Sequence, residues 1–382
     1  MKPGNFEWEL SNKLFRRGEC SMTNLQEVMG RHLGRLSAAL IAGLAMTGSA
    51  MAAELKLADQ FPATHTISRE GTQAFIDYIE AHPEVDLSVT HYPAEQLGKA
   101  ASMLDLVRNR VSDISLVGMS YITQRMPLAT MMDLPGFYND SFDGYGPFVK
   151  LAHNDLAAID FDRNNLKMLW VVVTPPYQLL LTREDPITDI SDLAGTKTRV
   201  AGATGELAAK ALGLVPVQMA APDLYVALER GTIDAAIYTL SAMRSYKLEE
   251  VTNSFTTNAS LGGVAFATFI HKEIWEGLTP EQQKVIEEGA EIAQFASACA
   301  LVKSELDAQE ALRGMGHTVY AMPDTVVAQF EERLATIDKL WVDQMESRNL
   351  PGAEMMAKFR AYQQEMRDDG SSKAAYERCM GE

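Results

Sequence analysis

Between Asp192 and Tyr238 the apolar positions switch repeatedly between a period of two and a period near 3.6. Lys197 to Ala201 alternates as a strand does, and Glu206 to Leu212 carries a short Ala-rich helical pattern that Gly213 can close. Val215 to Met219 is a second strand. Pro222 and Asp223 then open a helix through Leu228, and Gly231 stops it before the apolar strand Ile233 to Tyr238. This β-α-β-α-β order, in fewer than fifty residues, predicts a parallel sheet. Sheets of that kind bind ligands beyond the carboxyl ends of their strands.

The pattern occurs twice. Leu104 to Leu116 overlays Tyr225 to Ile237: apolar residues at helical spacing, a polar turn, an Asp (Asp113 or Asp234), then a short strand. Two copies about 120 residues apart predict two similar lobes rather than one large core. Strands are expected at Glu54–Ala58, Leu87–Tyr92, Ile114–Gly118, Leu166–Val173 and Ala265–Ile270, with helices at Ile67–Ala81 and Lys99–Val107. The diproline Pro175-Pro176 is a natural crossover between lobes. Thr279-Pro280-Glu281-Gln282 is a capping box with Pro at the first helical position, and the helix it opens runs past thirty residues to Arg313. A helix that long forms a spine or bridges domains. A further helix is expected from Asp324 to about Arg348, and a loose polar tail from Asp368.

The N-terminus carries a different pattern. Arg31 to Arg35 is basic, Leu36 to Ala45 is apolar but too short to span a bilayer, and Ala50-Met51-Ala52 fits a small-x-small cleavage site. Residues 29–52 therefore read as a secretory signal peptide cut before Ala53, and residues 1–28 as a gene-start artefact ahead of Met29. The formal charge of −17 becomes −19 after cleavage, from 28 basic and 47 acidic residues. That balance argues against nucleic acid or an anionic membrane surface as partner. The seven histidines show no metal-ligand spacing, so neither a metal nor a cofactor is expected. Cys299 and Cys379 can form one bridge, with two unpaired thiols the favoured reading.

Arg199 is the candidate with the clearest chemistry. A charge inside a strand is costly without a partner, and a guanidinium on a rigid element suits a carboxylate gripped by two parallel hydrogen bonds. Its plainer role would be to hold an Asp of its own chain. Phe61, His65 and Ser120 lie in loops after strands of the first lobe, Tyr177 at the crossover and Tyr238 at the end of a strand. Met119 is counted with these as a candidate ligand contact, although it falls with Met126, Met131 and Met132 in one apolar region, where methionine is usually core filler.

In order and spacing, three pieces resemble the solute-binding proteins of tripartite ATP-independent periplasmic (TRAP) transporters. They are Tyr92-Pro93-x-x-Gln96-Leu97-Gly98, Asp192-Leu193-x-Gly195-x-Lys197-x-Arg199-Val200, and Pro216-Val217-x-Met219 leading to Tyr225-x-Ala227-Leu228 and Ile233-Asp234. The resemblance implies an α/β, two-lobed periplasmic-binding-protein-like fold, with a ligand cleft between lobes and a long lobe-spanning helix. Lobe one would be residues 53–176 with 265–305, and lobe two 177–264 with 306–382. It also implies that Arg199 clamps a substrate carboxylate. The second basic residue common in the family is replaced by Tyr177-Gln178-Leu179-Leu180, Tyr238 stands where Asn or Trp is frequent, and the acidic residue of sialate binders falls near Gly118 and Met119. Loss of these polar groups points to a monocarboxylate with an apolar or aromatic body. The implied protein is a periplasmic monomer, not an enzyme, that delivers a small organic acid to membrane subunits of a TRAP-type transporter. A receptor feeding a sensor is the nearest rival. A periplasmic enzyme is the further one, and the chain has no G-x-S-x-G, P-loop or metal spacing to support it.

Overall fold

The computed structural model describes residues 53–381; the expected leader, its cleavage point and the 1–28 segment lie outside them. Eleven strands are described. They are β1 (Ala53–Ala58), β2 (Leu87–Tyr92), β3 (Ile114–Gly118), β4 (Leu166–Val173), β5 (Gln178–Leu181), β6 (Lys197–Val200), β7 (Val215–Gln218), β8 (Ala235–Tyr238), β9 (Ser254–Thr256), β10 (Ala265–His271) and β11 (Thr318–Tyr320). They form two sheets, in orders β2-β1-β3-β10-β4 and β11-β9-β5-β8-β6-β7. Within each, the β-α-β core is parallel, β1 with β2 and β3, β6 with β7 and β8, and the crossover strands β10 and β5 run antiparallel to it.

The internal repeat survives at atomic detail. In the first copy Asp113 donates its N–H to the Lys56 carbonyl, and its carboxylate accepts the Lys56 N–H. In the second, Asp234 makes the same pair of bonds to Lys197. The turns match as well: the N–H groups of Val111 and Ser112 both reach the Leu106 carbonyl, and those of Thr232 and Ile233 both reach Ala227. Arg110 (φ 57°) and Gly231 (φ 64°) occupy the same left-handed position. The aspartates are therefore strand-end clamps, which is why the pattern needs them.

Two chain segments cross between the sheets, and they hydrogen-bond to each other. Thr174 N–H donates to the Val264 carbonyl, Tyr177 N–H to Gly262 and Leu261 N–H to Tyr177. Gly262 (φ 79°) is required there, because a Cβ would lie 2.1 Å from the Asp133 carbonyl oxygen. The third connection is the helix Pro280–Gly314, opened by the expected capping box between Thr279 and Gln282. It packs on the helical segment Ile67–Glu80 and on β4 of the first sheet, and on Leu240–Tyr246 beside the second.

Several local expectations change. The helix expected from Asp324 to Arg348 is two, Asp324–Leu334 and Ile337–Ser347, broken at Ala335 and Thr336 without a proline to announce it. The tail is ordered: Gly352–Asp368 and Ser371–Met380 are helices packed on Ser141–Leu151, with Arg367 paired to Asp143 at 2.6 Å. These C-terminal helices rest on the first sheet's layer. Cys299 and Cys379 are joined in a disulfide, against the expectation of free thiols. The last helix lies along the long helix and brings together two residues that are 80 apart in sequence. Met119, Met126, Met131 and Met132 are all fully buried, as core filler should be.

Candidate ligand-binding site

Arg199 is the third residue of β6, and its side chain is fully buried. Its Nε–H donates to the Met219 carbonyl at 3.0 Å and Nη1 to the Ile237 carbonyl at 3.2 Å. Nη2 donates to the Tyr121 hydroxyl at 3.3 Å, across from the turn that follows β3. The guanidinium carbon sits 5.3 Å from the centroid of the Tyr238 ring. The two carbonyls fix the plane of the guanidinium, which leaves the remaining donors in a set direction.

No ion pair includes Arg199 among the described residues, since its partners are carbonyls and a phenol. Asp133, the carboxyl that feels its charge, is not a convincing counter-ion. Burial pushes the Asp133 carboxyl up to about 8, only partly offset by the Ser120 hydrogen bond and by Arg199. Burial thus favours its neutral form, and no hydrogen bond joins it to Arg199 among the described residues. Its Oδ1 accepts from the Ser120 hydroxyl at 2.7 Å, and its Oδ2 has no partner among the described residues. A buried guanidinium without a matched anion carries a desolvation cost of several kcal/mol.

Beside Arg199, and walled by Tyr121, lies an internal cavity between the loops at the carboxyl ends of β1, β3 and β8. The space open to the centre of a water molecule is about 10 Å³, room for about one water. Phe61, His65, Tyr177 and Tyr238 line it, as do Phe266 of β10 and Leu301 of the long helix. Met119 and Ser120 do not: Met119 is buried in the apolar cluster behind β3, and the Ser120 hydroxyl is committed to Asp133. Local chemistry sets the loop. Asp59 accepts the Phe61 N–H at 2.9 Å through one oxygen, and the Ser68 hydroxyl and His91 Nε2 lie at 2.9 and 2.8 Å from the other. Phe61 then stacks on His65 with centroids 4.0 Å apart.

Sequence reasoning missed Tyr121 and Thr239, each adjacent to a residue it singled out, because a Tyr or Thr in a loop carries no periodic signal. It also missed Glu305. That carboxylate, on the long helix, accepts from the Ser241 N–H at 2.7 Å and the Thr239 hydroxyl at 2.9 Å. It thereby caps the segment that follows Tyr238, and burial pushes its carboxyl up to about 7.

The model of bacterial extracellular solute-binding protein family 7 matches residues 58–344. The chain is 26% identical over 264 residues to the 2,3-diketo-L-gulonate-binding periplasmic protein YiaO of Escherichia coli K12, covering 67% of this chain and 78% of that one. A TRAP solute binding protein from Rhodoferax ferrireducens, solved with copurified benzoate, superposes with a TM-score of 0.77 at 21% identity, over 83% of this chain and 99% of the other. A marine-metagenome TRAP solute binding protein specific for aromatic acid ligands, solved with 3-hydroxybenzoate, gives 0.77 at 24%, over 82% and 99%. The chain belongs to bacterial extracellular solute-binding protein family 7, the solute-binding proteins of TRAP transporters.

Proposed function

We propose that this protein captures an organic monocarboxylate between its two lobes, with Arg199 as the carboxylate clamp, and hands it to the membrane subunits of a TRAP-type transporter. The observation that carries this reading is a fully buried arginine, held flat by two carbonyls, with no carboxylate paired to it among the described residues. An anion reaching it displaces or shares the Tyr121 hydroxyl on Nη2, so binding draws on the first lobe as well as the second. The rings of Phe61, Tyr177, Tyr238 and Phe266 supply walls for an apolar or aromatic body. The ligands of these relatives and neighbours, a diketogulonate, benzoate and 3-hydroxybenzoate, are all organic acids and support that class.

The family is one of receptors. The protein acts as a monomer, exported and cut before Ala53, which mass spectrometry of the mature N-terminus tests directly. The function itself is tested by a thermal-shift screen of organic acids, each paired with its amide. Stabilisation by a monocarboxylate and not by its amide is expected. Equal shifts with acid and amide would remove the clamp from the account.

A further inference from the structure

His65 is a further polar group of the cavity, and its contacts are with groups other than the Arg199 guanidinium. It is about 1% exposed and lines the cavity with Tyr121, Tyr238 and Phe266. Its Nδ1 accepts the Ile67 N–H at 3.1 Å, which places the ring proton on Nε2. That Nε2 is buried and has no partner among the described residues. The ring cannot turn to find one, since it is stacked on Phe61 and met edge-on by Tyr246 at 5.7 Å. Burial, then the charge of Arg69, lowers the imidazole to about 3, so it is neutral wherever the protein is folded and working. Tyr246 in turn meets Tyr238, with ring centroids 6.4 Å apart, and Tyr238 is the ring that lies 5.3 Å from the Arg199 guanidinium carbon.

We infer that the His65 Nε2–H donates a hydrogen bond to a neutral oxygen of the ligand other than those of its carboxylate, so that the ligand is a hydroxy or oxo acid. The inference rests on the reading of Arg199 as the carboxylate clamp. A second carboxylate is a poor fit beside His65, because the lining has no Lys or Arg and an uncharged imidazole cannot balance it. A bare hydrocarbon is a poor fit too, because it would leave a buried N–H unpaired. A hydroxyl or carbonyl oxygen satisfies the donor and adds no charge.

The test is calorimetric titration of wild type, His65→Phe, His65→Asn and Arg199→Ala, each with its melting curve. The probes are benzoate with 3- and 4-hydroxybenzoate, phenylacetate with mandelate and phenylglyoxylate, and succinate. Wild type is expected to bind at least one oxygenated acid about tenfold or more tighter than its parent. His65→Phe, which keeps a ring and removes the donor, should reduce that ratio to about two or less, and His65→Asn should retain part of it. A folded His65→Phe or His65→Asn protein with the ratio undiminished overturns the inference. So does a wild type that prefers the parent acids or succinate. Arg199→Ala should weaken parent and oxygenated acids alike. If it weakens neither, or if no acid binds wild type, the clamp reading itself fails and the inference falls with it.

Discussion

Arg199 was legible in the sequence because a charged residue in an alternating apolar strand has no cheap explanation. Glu305 was not, because Ser304-Glu305-Leu306-Asp307 reads as the solvated face of a helix until the Thr239–Ser241 segment docks on it. Its burial has a measurable consequence. Burial raises the carboxyls of Glu305 to about 7, Asp133 to about 8 and Asp160 to about 7. The folded protein thus holds protons that the unfolded chain has already released, and stability falls as pH rises through these values. His65 works in the opposite sense: lowered to about 3, it costs stability as pH falls below its unfolded value of about 6.5. Between pH 6.5 and 8 the buried carboxyls act without that opposition. The melting temperature of the unliganded protein should therefore fall from pH 6.5 to 8, and Glu305→Gln should flatten part of the fall. Scanning calorimetry across this range checks it, and identical slopes for the two proteins would show that Glu305 does not titrate there.

At the scale of elements, the strands and the capping box were readable because each rests on a local signal: alternation, or a Thr and a Gln three residues apart. The repeat was readable for the same reason, and the paired bonds of Asp113 and Asp234 give it a physical cause. The break at Ala335 and Thr336 was not, since no proline or glycine marks it. The ordered C-terminus was hidden for a related reason. Its helices are polar overall and gain their stability from contacts such as Arg378 over the Phe295 ring at 3.7 Å, and from the bond between Cys299 and Cys379. Replacing both cysteines by serine releases a loop of 80 residues in the unfolded chain, and the expected cost is about 2–4 kcal/mol. Denaturant midpoints of wild type and the double variant measure it. Coincident midpoints, with wild type also insensitive to reductant, would mean that the bridge contributes nothing.

At the scale of the molecule, two lobes and a helix packed on both were legible from the repeat and from helix length. How closely the lobes approach was not. Gly202 is the N-cap of the helix Ala203–Ala211, a position where Ser, Asn or Asp usually serves better. Its backbone is extended, so conformation does not demand glycine. Proximity does: a Cβ at Gly202 would lie 2.4 Å from the Ser120 carbonyl oxygen of the opposite lobe. Gly202→Ala should hold the lobes apart, weakening ligand binding by roughly tenfold or more with little change in the melting curve without ligand. Small-angle scattering at saturating ligand should give a larger radius of gyration than wild type. Equal affinity and an equal scattering curve would show that the two lobes do not close against this glycine.

The central claim is that closure delivers a carboxylate to Arg199, and the most direct test is calorimetric titration of a binding acid into Arg199→Ala and Arg199→Lys. Charge-assisted hydrogen bonds contribute roughly 1.5–3 kcal/mol each, so losing two puts Arg199→Ala about 3–5 kcal/mol down, a few-hundred- to few-thousand-fold in affinity. Arg199→Lys keeps the charge without the planar fork and should fall between, at a loss of about 1–3 kcal/mol. A folded Arg199→Ala protein that binds the acid as wild type does would contradict the account.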